Sequence, residues 1–215
     1  LSEVKSMSSI KSGKVFDYDD GLRRDTSSDK LHSLKPIFDR KFGNITAGNS
    51  SQVTDGAALM MLASEEAVKK YKLNVLAKIK DVNWAGLDPR VMGLGPVYST
   101  TDMLIRNNLT LDDIDLFEIN EAFAAQVLGC KKAWEEDTFC REHLGLKGAF
   151  GSLDMNKLNV SGGAIAVGHP IAATGGRIIL RLANLLKENK TSAKTAVATL
   201  CIGGGQGGAV LLEAV

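Results

Sequence analysis

From residue 75 to the end, short apolar runs alternate with stretches of helical spacing, and that alternation confines the chain to an α/β sheet covered by helices. Parallel neighbours need crossovers, so their strands are buried on both faces and read as unbroken apolar runs. Strands are predicted over 75–82, 114–119, 195–200 and 208–213, and helices over 96–107, 121–135 and 171–186. Pro96 suits a first helical turn, after which Val97, Thr101, Leu104 and Ile105 share a face. The link from Cys201 to Gln206 is too short for a crossover helix, so the last two strands should form an antiparallel hairpin on a glycine-rich turn.

Upstream, the apolar run 57–63 reads as a strand. The helix that follows has Ser64 placed as its cap and Glu65 and Glu66 in the first turn, where the helix dipole favours acid. The first 45 residues are polar and irregular, with Asp17, Asp19, Asp20, Arg23 and Arg24 crowded ahead of a short helix around Leu31. Residues 73–215 therefore read as one domain, and 55–72 as a strand and helix that belong to something else.

Composition supplies the exclusions. With 215 residues, 44% hydrophobic and 24% charged, the chain is neither disordered, collagenous nor coiled-coil. The 26 basic and 25 acidic residues leave a net charge of +1, so no global field attracts nucleic acid or an anionic membrane. No apolar window approaches a bilayer span. Cys130, Cys140 and Cys201 are too few and too irregular for a disulfide framework or a zinc cluster, so no metal site is expected and the compartment is read as reducing. The chain opens on Leu1, and 1–15 lacks the apolar core of a signal peptide, so the start reads as truncated.

More than half of the 22 glycines lie from Gly148 onward, and they frame two of three segments able to carry chemistry. The first segment, Glu118 to Gln126, runs from a strand end into a helix start, where sites gather in parallel sheets. Asn120 could cap that helix or hold an oxygen at the sheet edge, and Glu121 could serve only its dipole. The second, Asn159 to Pro170, is a loop nearly threaded with glycine. In it, Gly168 and Pro170 make a rigid corner of His169, while a phosphate-binding reading fails for want of the glycine and lysine spacing such loops need. The third begins at Cys201, at the end of an apolar strand and facing the turn Gly203-Gly204-Gly205. That thiol is either a buried small hydrophobe or a reactive group served by His169. Cys130 and Cys140 lack such a setting and are read as structural.

Together the three segments resemble the C-terminal half of a thiolase, the family that makes or cleaves 3-ketoacyl-CoA by Claisen chemistry. Asn120-Glu121-Ala122-Phe123 matches its NEAF motif, Gly168-His169-Pro170 its GHP motif and Cys201-Ile202-Gly203-Gly204-Gly205 its CxGGG motif. Thr46-Ala47-Gly48-Asn49-Ser50-Ser51 resembles its CoA-binding stretch. The resemblance implies a βαβαβαββ C-terminal domain over 73–215, with a mixed sheet covered by helices. It also implies the end of a loop domain over 1–54 and the last strand and helix of an N-terminal domain over 55–72.

The resemblance further implies that Cys201 exchanges a proton with the α-carbon. His169, with a water held by Asn120, would form one oxyanion hole, and the Gly203 N–H would lend to a second. Ser51 would line the pantetheine channel, and Phe38 would contact CoA or merely pack. Gln52 departs from a common glycine and would narrow that channel. Stretch 133–157, long and polar, is closer to the thiolases of fatty-acid β-oxidation.

Implied ligands are CoA and acyl-CoA as substrates, with no tightly bound cofactor. The implied setting is cytoplasmic, or mitochondrial or peroxisomal in a eukaryote. The family's nucleophilic cysteine has no match here and would lie upstream of Leu1. The chain alone is therefore expected to be inactive, and 57–63 to pair with a missing half or a second copy. The alternatives are an acetyl-CoA C-acetyltransferase and a non-catalytic CoA-thioester binding protein.

Overall fold

The structure, a computed structural model, describes residues 7–8, 13, 15–19, 21–188 and 192–215; Asp20 and most of the first fourteen residues lie outside them. Two short strands, β1 (Met7–Ser8) and β2 (Val15–Phe16), pair with each other. They are followed by α1 (Ser28–His32) and α2 (Glu65–Tyr71). The remaining elements are β3 (Lys78–Gly86), α3 (Gly95–Arg106), β4 (Leu116–Ile119), α4 (Ala124–Glu135), α5 (Asp137–Leu144), α6 (Ala164–Val167), α7 (Ile171–Glu188), β5 (Thr195–Ile202) and β6 (Gln206–Glu213).

Strands β3 to β6 form one mixed sheet in the order β3-β6-β5-β4. β4 runs parallel to β5, and the β5–β6 hairpin is antiparallel as predicted, from Thr195↔Glu213 to Ile202↔Gln206. The third strand of the implied βαβαβαββ pattern is reduced to one parallel bridge, Phe117↔Leu158, on the outer edge of β4. It stays short because Asn159, at φ 46°, turns the chain away immediately afterwards.

The alternation of the strands sorts the core into two layers. Phe117, Ile119, Val197 and Leu211 face α3 and α4, where they pack with Met103, Leu104, Val127 and Trp134. Their neighbours Leu116, Ala196, Ala198 and Leu212 face α7 and meet Ile178, Leu182 and Leu186. The one polar atom of Trp134 is satisfied inside the core, its Nε1 donating to Thr101 Oγ1 at 2.9 Å. The start of α3 lies backbone to backbone on β6, since a side chain at Gly207 would run into the Gly95 carbonyl.

Several elements depart from the sequence reading. The strand predicted over 57–63 does not form; the run has no regular secondary structure, with Leu59 92%, Met61 79% and Leu62 69% exposed. A strand needs a neighbour to satisfy its backbone, and among the described residues no strand pairs with it. Part of the run instead lies along α7, where a methyl on Gly176 would stand 3.3 Å from Ala58 Cβ. The helix behind it forms as read, Ser64 accepting from the Ala67 N–H. β3 begins and ends later than 75–82, and α5 and α6 occupy stretches to which no element was assigned. Among the described residues, no helix is long and apolar enough to cross a membrane.

Gly207→Ala should destabilise the domain by about 1–3 kcal/mol through overpacking. Gly86→Ala, which points into open space, should be near neutral. Urea unfolding midpoints of the two variants test the contrast.

Candidate active site

Asn120 follows directly on β4. Its N–H donates to the Thr199 carbonyl of β5 at 3.0 Å, so the parallel ladder carries it to the rim of the sheet. There its carboxamide meets His169, with Nδ2 3.4 Å from Nε2, while its Oδ1 is buried without a hydrogen-bond partner. Asn120 does not cap the next helix. α4 starts only at Ala124 because the chain before it is held out of the helix: the Ala122 N–H turns back to the Asn120 carbonyl at 3.1 Å, the Ser51 N–H donates to the Ala122 carbonyl at 3.0 Å and Ser50 bridges Phe123.

Glu121 likewise serves a different helix from the one expected. Its carboxylate accepts from Asn159 Nδ2 at 2.8 Å and from the Ile165 N–H at 3.1 Å, satisfying an amide at the start of α6. Asn159 in turn extends the β4 ladder with its side chain, accepting from the Ile119 N–H at 2.9 Å and donating to the Ile119 carbonyl at 3.0 Å. This network ties the glycine loop to the end of β4.

His169 is fixed at backbone and ring. Its N–H donates to the Gln52 carbonyl at 3.1 Å, and Val53 bridges it in parallel. Gly168 before it stands at φ +89°, with Thr54 packed where a side chain would project, so only glycine fits. The ring's Nδ1 lies 2.7 Å from Thr174 Oγ1, on the first turn of α7. Burial, and then the charge of Arg177, lower the imidazole's pKa, so the ring is neutral at pH 7.

Cys201 sits near the end of β5, paired with Gly207 and two residues beyond Thr199, whose carbonyl receives the Asn120 N–H. The thiol is buried, and burial raises its pKa, so it is held in the protonated form. Among the described residues Cys201 is a free thiol with no hydrogen bond to Asn120 or His169. The thiol of Cys130 on α4 is likewise pushed up, to about 12, mainly by burial. The structure thus brings Asn120 and His169 into contact and sets Cys201 on the neighbouring strand end. Gly203 opens the exposed hairpin turn, with free space on its Cα.

Ser51 is half-buried, its Oγ donating to the Ala122 carbonyl at 3.2 Å. Phe38 packs edge-on against Phe123 at 5.8 Å between centroids yet stays 71% exposed, leaving most of the ring open to a ligand. The Gln52 side chain lies against Gly21, at the surface. Cys130 and Cys140 are fully buried in α4 and α5, in keeping with packing roles. Among the described residues, no cluster of three or more His, Cys, Asp or Glu side chains could hold a metal ion.

A parallel strand end, a neutral histidine touching a carboxamide and a buried thiol on the adjacent strand make this rim of the α/β sheet the candidate site. Residues 73–214 match the family description "Thiolase, C-terminal domain" and residues 3–66 match "Thiolase, N-terminal domain". The chain belongs to the thiolase family. It is 44% identical over 200 residues to the 3-ketoacyl-CoA thiolase of Aeromonas hydrophila, covering 93% of this chain and 48% of the relative. Among solved structures it superposes on human mitochondrial 3-ketoacyl-CoA thiolase in complex with CoA with a TM-score of 0.75 and 37% identity, covering 94% of this chain and 46% of that one. The match to the Bacillus anthracis acetyl-CoA acetyltransferase has a TM-score of 0.81 and 38% identity, over 98% and 48% of the two chains. The chain therefore spans about half the length of the relatives it matches.

The sign of the pH dependence follows from His169. Its folded pKa lies below the usual 6.5, so as pH falls the unfolded chain takes up the proton first. The contribution to stability is fully present above pH 6.5 and is lost as pH drops through the folded value. His169→Gln should flatten that part of the stability profile, read from urea midpoints at a series of pH values between about 8 and 5.

Proposed function

We propose that this chain carries the proton-transfer and oxyanion machinery of an acetyl-CoA C-acyltransferase that cleaves 3-ketoacyl-CoA with CoA into acetyl-CoA and a shortened acyl-CoA, as in fatty-acid β-oxidation. The observation that carries the reading is the Asn120–His169 contact at the end of β4, with segment 50–53 tied to Ala122, Phe123 and His169 and Cys201 on the adjoining strand. A neutral imidazole and a water on the orphaned Asn120 Oδ1 can both donate to the enolate oxygen where charge develops. When the C2–C3 bond breaks, its electron pair passes to C2. A thiol kept protonated by burial supplies the proton that turns the enolate into acetyl-CoA.

The Gly203 N–H stabilises the second oxyanion, at the acyl carbonyl, and Ser51 and Phe38 line the approach of pantetheine. The nucleophilic thiol that takes the acyl group comes from outside these 215 residues, so this chain by itself does not turn over. Domain limits at 54 and 72 follow the same reading; the change of family match between residues 66 and 73 supports the second. The missing half is also the proposed partner of the exposed 57–63 run. It would cover the apolar hollow of about 120 Å³ lined by Val82, Trp84, Ile179 and Leu200 as well. CoA enters as a substrate with no tightly bound cofactor, consistent with the human neighbour solved with CoA, a mitochondrial enzyme. A soluble compartment, cytoplasmic or organellar, fits that chemistry.

A second reading, acetyl-CoA C-acetyltransferase, is favoured by the TM-score of 0.81 to the Bacillus anthracis enzyme. In the full-length protein, Cys201→Ser should lower thiolysis by about 100-fold or more with the fold intact. Unchanged transfer would overturn the role of Cys201. Activity confined to C4 ketoacyl-CoA, with none on C16, would select the acetyltransferase.

A further inference from the structure

Thr174 is buried completely, one turn into α7, and its hydroxyl has two neighbours, His169 Nδ1 at 2.7 Å and the Pro170 carbonyl at 3.0 Å. A hydroxyl has one proton to give. The Pro170 carbonyl already accepts the Ala173 N–H at 2.8 Å and the Thr174 N–H at 2.9 Å, so both of its lone pairs are engaged. Nδ1 is the nearer of the two partners, at 2.7 Å against 3.0 Å, and its in-plane lone pair is free to accept when the ring proton sits on Nε2. We propose that Thr174 is a positioning residue that donates to His169 Nδ1 and so places the single proton of the neutral imidazole on Nε2.

Asn120 does not oppose this assignment. Its contact with Nε2, at 3.4 Å, is too long to compete with one of 2.7 Å. The charged and titratable groups facing the ring fit as well. Arg177 on α7 disfavours a second proton, and burial does the same. The consequence rests on the function proposed above: only Nε2–H can donate to an enolate oxygen, so Thr174 decides whether His169 is a donor or an acceptor toward substrate.

The test is long-range ¹H–¹⁵N correlation on the uniformly ¹⁵N-labelled 215-residue chain at pH 8. The expected spectrum has a pyrrole-type, protonated Nε2 on His169 and a pyridine-type Nδ1 shifted by hydrogen bonding. Thr174→Ser should leave the Nδ1 resonance in place, and the nearly isosteric Thr174→Val should move it to the unbonded position. A proton on Nδ1 in the wild type, or an Nδ1 resonance that Thr174→Val does not move, would overturn the proposal; the wild-type spectrum alone decides the first point should the valine variant fail to fold. In the full-length enzyme, Thr174→Val should lower kcat at least about tenfold with KM little changed, and Thr174→Ser should stay within about threefold. A full-length protein with the expected spectrum and no acyl transfer would refute the proposed function and leave the role of Thr174 standing.

Discussion

The site depends on the parallel pairing of β4 with β5. Leu116 to Ile119 lies in register with Ala196 to Thr199, and the next bond, from the Asn120 N–H to the Thr199 carbonyl, continues the ladder one step past the strand. A carboxamide and a thiol 81 positions apart in the chain thereby arrive on adjoining strand ends. Because both strands are buried on both faces, a one-residue slip would exchange the two core layers, and the register is correspondingly well specified.

Around that fixed edge, polar side chains do the work of missing strands. Asn159 pairs with both backbone groups of Ile119, Glu121 accepts from Asn159 and from the start of α6, and segment 50–53 ties down the chain at Ala122 and His169. Each bond is modest in water, but a buried network that is fully satisfied holds its members in one arrangement. Burial then sets the protonation states. It keeps the imidazole neutral and the Cys201 thiol protonated, the forms that the proposed mechanism needs as donors.

Much of this was legible in the chain. Pattern alone placed the four sheet strands, the hairpin and the helices α2, α3, α4 and α7, with boundaries off by a few residues. The motif order pointed to Asn120, His169 and Cys201. Thr174 and Asn159 went unnoticed because a lone threonine or asparagine carries no signal until its neighbours are known. Glu121 was assigned to the wrong helix because sequence proximity favoured α4, whereas the turn at 120–122 leaves its carboxylate on Asn159 and the start of α6. The run 57–63 has a strand's composition, but a ladder also requires a partner.

Local sequence determined what depends on neighbours along the chain: periodicity, caps, the tight glycine turn and the family's motifs. Tertiary structure alone decided which side chain bonds to which. It placed Asn120 against His169 while leaving Cys201 on the far side of a strand pairing, and it gave Thr174 its position beside Nδ1. Those relations are distances between residues remote in sequence. They are fixed by strand register and helix packing, quantities that no short window of residues contains.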